Sequence, residues 1–124
     1  SWDDFEAKWE DKFVTKLKKV DVEIQNVMTE SHDDKHDMVT VDVIFNNKNV
    51  GAEYLSIDAL GTNNYLLIGD KNEIYYPVSI QNGKNYNYLP SGKTLLQVKG
   101  KVPTETKISY FRMLNQKHSI SNIN

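Results

Sequence analysis

The chain contains no cysteine. That excludes disulfide staples, thiolate nucleophiles, iron–sulfur clusters and cysteine-based zinc sites. A cysteine-free chain suits the cytosol, and equally the exterior of a bacterium that does not rely on disulfides. Basic excess is also lacking: the formal net charge is −2. A duplex-binding domain carries a strong cationic surplus, so bulk charge argues against nucleic acid and gives no reason to favour an anionic membrane. No apolar run approaches the roughly 20 residues that span a bilayer. No signal peptide is visible. The chain begins at Ser1 rather than methionine, which fits the removal of an N-terminal targeting segment or anchor. A Gly-rich phosphate loop and a Gly-x-Ser-x-Gly elbow are both missing. Proline is scarce, at three residues, and arginine occurs once, at Arg112.

What is present points to a folded chain. At 124 residues, 39% hydrophobic and 26% charged, it fits one globular domain over 1–124 with a core of its own. The first segment, SWDDFEAKWEDKFVTKLKK, carries Trp2, Phe5, Trp9, Phe13 and Leu17 at steps of three and four. That spacing predicts an amphipathic helix over 2–18. Acids near its start and lysines near its end suit the helix dipole.

From residue 20 the period changes to two. Val20, Val22 and Ile24 alternate with polar residues, and so do Val39, Val41, Val43 and Phe45 in MVTVDVIF. Alternation of this kind predicts strands with one buried face. NNKNVG at 46–51 reads as a turn whose asparagines tolerate positive φ. YLLIGDKNEIYYPV reads as a hairpin with Asp70, Lys71 and Asn72 at its tip. Pro77 belongs at a strand edge or end. TLLQVKGKV at 94–102 turns Leu96, Val98 and Val102 inward, and TKISYFRML at 106–114 is the last strand. Residues 115–124 read as a polar, frayed tail. The sum is a mainly β chain: an antiparallel sandwich of about seven or eight strands over 20–114, of immunoglobulin-like type, behind one helix.

The stretch Val39–Leu114 carries VTVDVIFNN, EYLSIDAL, LLIGDKNEIYYP and LPSGKTLLQVKGKVP leading into ISYF. This pattern resembles the small immunoglobulin-like domains of secreted and lipid-anchored proteins of Gram-positive bacteria. The LPSGK turn and the following strand ending in VP carry most of the likeness. The resemblance implies an extracytoplasmic location and a binding or scaffolding role. It brings no catalytic residue and no cofactor. The expected partner is a protein or a cell-envelope component, with membrane contact only through an N-terminal anchor.

Three groups of residues compete as sites. ESHDDKHD at 30–37 could hold a divalent cation through His32, Asp34 and His36. Spacing of four fixes no geometry in a hairpin connection, and the calcium-loop pattern is missing. A solvated connection between strands therefore explains these residues more simply. Tyr75, Tyr76, Tyr86 and Tyr88, with the asparagines of 81–92, suit an adaptable recognition surface. Alternate tyrosines are as readily half-buried strand residues. Trp2 and Trp9 could dock on another chain, making the protein a helix-mediated assembly module, or pack on their own domain. An enzyme fits poorly, because no histidine stands out as a general base.

Overall fold

The computed structural model describes residues 19–50, 55–56, 65–82, 88–113 and 116–120, with 55, 56, 82, 88 and 89 described through their backbone. The helix expected over 2–18 lies outside the described residues, and no helix occurs among them. The described residues form ten strands in chain order: β1 Val20–Ser31, β2 His36–Asn47, β3 Leu55–Ser56, β4 Tyr65–Gly69, β5 Ile74–Tyr75, β6 Pro77–Asn82, β7 Tyr88–Leu89, β8 Gly92–Pro103, β9 Ile108–Met113 and β10 Gln116–Ser119. One four-stranded sheet runs β1-β2-β8-β6, a second runs β10-β9-β4-β5, and β3 pairs with β7. All pairings are antiparallel.

The two large sheets share a single core. Val39, Val41, Val43 and Phe45 of β2 and Leu96, Val98 and Val102 of β8 meet Tyr65 and Leu67 of β4 and Phe111 and Met113 of β9. Each fully buried aliphatic side chain contributes about 1.5–3 kcal/mol of transfer free energy. The alternation read from the sequence names this inward set correctly for β2 and β8. Gly100 of β8 lets the sheets approach: a Cβ there would collide with Leu67 Cδ1.

The strands are longer than alternation alone suggests. In β1 the pattern breaks after Ile24 because Gln25 is an extra residue, a bulge between Ile24 and Asn26. The bulge resets the parity so that Val27 pairs with Val41 and also packs against the core. β1 and β2 then continue as a hairpin to Ser31 and His36. Glu30, Ser31, His36 and Asp37 are therefore strand residues, and only 32–35 make the connection.

Two further expectations need correction. The YLLIGDKNEIYYPV hairpin is confined to β4 and the two residues of β5, with Asn72 at φ 64° in its turn. At Pro77 the chain crosses to the other sheet and starts edge strand β6. Proline has no N–H to continue the β5 ladder, so the first residue of an edge strand suits it. The tail is not frayed over 116–120: β10 pairs with β9, and Ile120 is buried and donates its N–H to Ser109 O. His118 and Ile120 follow the period of two that marks a strand, a signal hidden among polar neighbours.

The asparagines of the turn after β2 work differently from the expectation. Among the described residues, positive φ occurs at Asn72, Glu105 and Gly92 rather than at Asn46, Asn47 or Asn49. Instead Asn49 donates its backbone N–H and its side-chain amide to Asn47 Oδ1, at 3.0 and 2.7 Å. Both residues are buried, and Ser91 donates its hydroxyl to Asn49 O. The turn is thus pinned by side-chain acceptors.

Candidate functional site

One end of the described structure gathers the β1–β2 connection, the β8–β9 turn and Ile120. Asp33 closes the connection. Its Oδ1 accepts the Lys35 N–H at 2.8 Å and lies 3.0 Å from His36 Nδ1. The backbone N–H groups of His32 and Asp33 both donate to His36 O. The Lys35 N–H, and secondarily His36, hold the Asp33 carboxyl below the usual carboxylate range, although desolvation works against them.

The β8–β9 turn is tied to that connection. Thr104 donates its N–H to Lys35 O at 2.9 Å, and Thr106 donates to Pro103 O at 3.1 Å. Between them Glu105 sits at φ 70°, in the left-handed region. Cβ crowding makes that conformation cost about 1–2 kcal/mol for a residue other than glycine. Backbone strain of this sort concentrates at functional sites.

Glu105 lies on the rim of a cavity of about 240 Å³. Its apolar lining comes from Val27 of β1, Val39 of β2, Ile108 of β9 and Ile120, and its polar lining from Thr29, Glu105, Thr106 and Lys107. Hydrocarbon surrounded by hydroxyls and one charge of each sign can hold an apolar group and orient its polar ends.

The sites read from the sequence are distributed differently. His32 and Asp34 are exposed, and His36 Nδ1 faces Asp33. Among the described residues, no three His, Asp or Glu side chains come together to hold a metal ion. His32, Asp34 and His36 are therefore neighbours in sequence without being assembled as ligands. Tyr75 is half-buried and packs against the core, whereas Tyr76 is 60% exposed. Tyr88 contributes its backbone to β7, opposite Ser56. Trp2, Trp9 and Tyr86 lie outside the described residues. His118 is half-buried in β10, and among the described residues its Nε2 has no hydrogen-bond partner.

Sequence reasoning missed the cavity. Val27, Thr29, Glu105 and Ile120 meet only because of the Gln25 bulge, a left-handed glutamate and a hidden last strand. Their one legible trace is the apolar Val27 and Ile120 inside polar stretches. The chain matches no known family model, no curated protein and no solved structure.

Proposed function

We propose that this chain is a non-enzymatic, immunoglobulin-like binding domain, displayed outside a Gram-positive cell, that recognises a protein or cell-envelope component. Strand order supports the fold half of the reading. A constant-type immunoglobulin sandwich has strands A, B, E and D in one sheet and C, F and G in the other. Lettering β1, β2, β4, β5, β6, β8, β9 and β10 as A, B, C, C′, D, E, F and G yields ABED and GFCC′. Antibody domains set a tryptophan of strand C against a disulfide between B and F. Here Tyr65 of β4 contacts Phe45 of β2 and Phe111 of β9, with ring centroids 6.5 and 6.1 Å apart. Aromatic packing joins the same three strands without cysteine.

The cavity carries the binding half. Its volume of about 240 Å³ falls below the roughly 300–1,000 Å³ of small-molecule pockets. It suits one apolar side chain offered by a larger partner, with Glu105 and Lys107 meeting polar groups around it. A single anchor of this kind in a desolvated pocket supplies a large share of the affinity of a protein interface. The resemblance of Val39–Leu114 to Gram-positive envelope domains supplies the location.

Co-sedimentation of the labelled chain with Gram-positive envelope fractions tests the reading. The wild type should bind. Thr29→Trp, which fills the cavity mouth from an exposed strand position, should weaken binding by at least about ten-fold. Tyr76→Ala should matter less. Absence of wild-type binding would overturn the proposal. Loss on Tyr76→Ala with Thr29→Trp neutral would reject the cavity as the site.

A further inference from the structure

The first sheet ends on one side at β1, and no described strand pairs with its free edge. Hydrogen bonds at both ends of the β1–β2 hairpin set the phase of its ladder. Lys48 donates its N–H to Lys19 O, and His32 donates its own to His36 O. Main-chain groups of an antiparallel pair alternate between facing the partner strand and facing away. Carried through the register and past the Gln25 bulge, that alternation turns Asp21, Glu23, Asn26, Met28 and Glu30 toward β2. The N–H and C=O groups of Val22, Ile24, Val27 and Thr29 therefore point to the free edge. The side chains of Val22, Ile24 and Val27 pack against the core yet stay half-exposed. One line of residues thus offers both unpaired main chain and incompletely covered apolar surface.

Free edges ordinarily carry lysine, proline or irregularities that discourage pairing. β6 opens on Pro77 with an irregularity before Ser79, β5 has two residues, and β10 has four with Lys117 among them. β1 runs 12 residues without proline or lysine, and the bulge at Gln25 is its one irregularity. Its charges are Asp21, Glu23 and Glu30, all acidic and all exposed. Asp21 is taken by Lys48 at 2.6 Å, whereas among the described residues Glu23 and Glu30 form no ion pair.

From these observations we infer that β1 receives an extended, basic segment of another protein, which adds to the first sheet as a further strand. The inference rests on the protein-binding reading above and names the form the partner takes. The bulge sets the spacing on that segment. Glu23 and Glu30 are seven positions apart, less one for Gln25, so they stand opposite residues six apart on the added strand. Six is even, so two lysines there share one face, and the residues opposite Val22, Ile24, Val27 and Thr29 share the other. The partner thus carries apolar residues at alternate positions and lysines six apart. Its side chains opposite Val27 and Thr29 reach the cavity that those two residues line. A second copy of β1 does not fit this edge. Antiparallel pairing of two copies in full overlap centres on Asn26 and lays each Asp21 against the partner's Glu30, acid on acid.

The probe is a capped peptide of about ten residues that alternates valine with threonine, two threonines six positions apart being replaced by lysine. Added to the full chain, it should slow hydrogen exchange at the amides of Val22, Ile24, Val27 and Thr29 and leave the edges of β5, β6 and β10 unchanged. N-methylation of its valines, whose N–H groups face β1, should abolish binding. N-methylation of its threonines, whose N–H groups face away, should spare it. Glu23→Lys with Glu30→Lys should weaken binding at least about ten-fold, and exchanging the peptide lysines for glutamate should restore it. Both positions are exposed, so an unchanged melt of the variant excludes misfolding. No binding at millimolar peptide, protection at another edge, or equal loss with either methylation pattern overturns the inference. Co-sedimentation with envelope fractions separates the two readings. Wild-type binding there beside a silent peptide removes the added strand alone, and its absence removes the binding reading itself.

Discussion

At the residue scale, Tyr65 shows how a core position can be almost right. It is fully buried between Phe45 and Phe111, yet among the described residues its hydroxyl has no hydrogen-bond partner. A buried hydroxyl left unpaired costs about 1–3 kcal/mol. Tyr65→Phe keeps the ring contacts and removes the orphan, so denaturant unfolding should show a gain of about 1 kcal/mol. The pH dependence has a definite sign. Burial pushes the Tyr65 phenol above the usual tyrosine range. Above about pH 10 the unfolded chain loses this proton while the folded one keeps it. The unfolded state then binds fewer protons, so stability falls as pH rises. Tyr65→Phe should flatten that alkaline fall. If the variant is less stable at neutral pH, the hydroxyl has a partner and the argument fails.

At the element scale, legibility tracks how far a segment's pattern comes from its own residues. β2 and β8 each bury an uninterrupted alternation, so both their existence and their inward faces can be read directly. β1 can be read only to Ile24, because the bulge at Gln25 breaks the parity and the lone apolar Val27 is all that marks the reset. β10 is hidden because all four of its residues are polar and it is held by β9 rather than by its own propensity. Its anchor is Ile120, which is 2% exposed. Ile120→Ala should cost about 2–5 kcal/mol, as for a core residue, whereas a frayed tail would show a change within about 0.5 kcal/mol. A thermal melt separates the two.

The β1–β2 connection is legible in composition and not in geometry. Crowded acids and histidines suggest a metal site, yet what organises 32–36 is a single carboxylate accepting a backbone N–H. Asp33 is held below its usual range, so its contribution is present above about pH 4 and is lost as pH falls through its folded pKa. The Lys35 amide resonance should therefore titrate below the pH of a free aspartate, and the titration should vanish in Asp33→Ala. A midpoint at or above the free value would mean that the carboxylate does not hold the turn.

At the scale of the whole molecule, the question is whether two sheets make one folding unit. Their strands alternate along the chain: β1 and β2 lie in the first sheet, β4 and β5 in the second, β6 and β8 back in the first, β9 and β10 in the second. Neither sheet can form from a continuous piece of chain. Each also presents half of the same core, with Leu67 of one under Gly100 of the other and Tyr65 between Phe45 and Phe111. Opening either sheet exposes the inner face of both, so the cost of partial unfolding approaches that of global unfolding. Phe111→Ala should lower stability by about 3–5 kcal/mol. Under native-state hydrogen exchange, the amides of Val41 and Val98 should lose protection by the same amount as those of Leu67 and Tyr110, although Phe111 belongs to the second sheet alone. Retained protection at Val41 and Val98 would show the first sheet standing by itself. The shared core would then be a contact between two units rather than the centre of one.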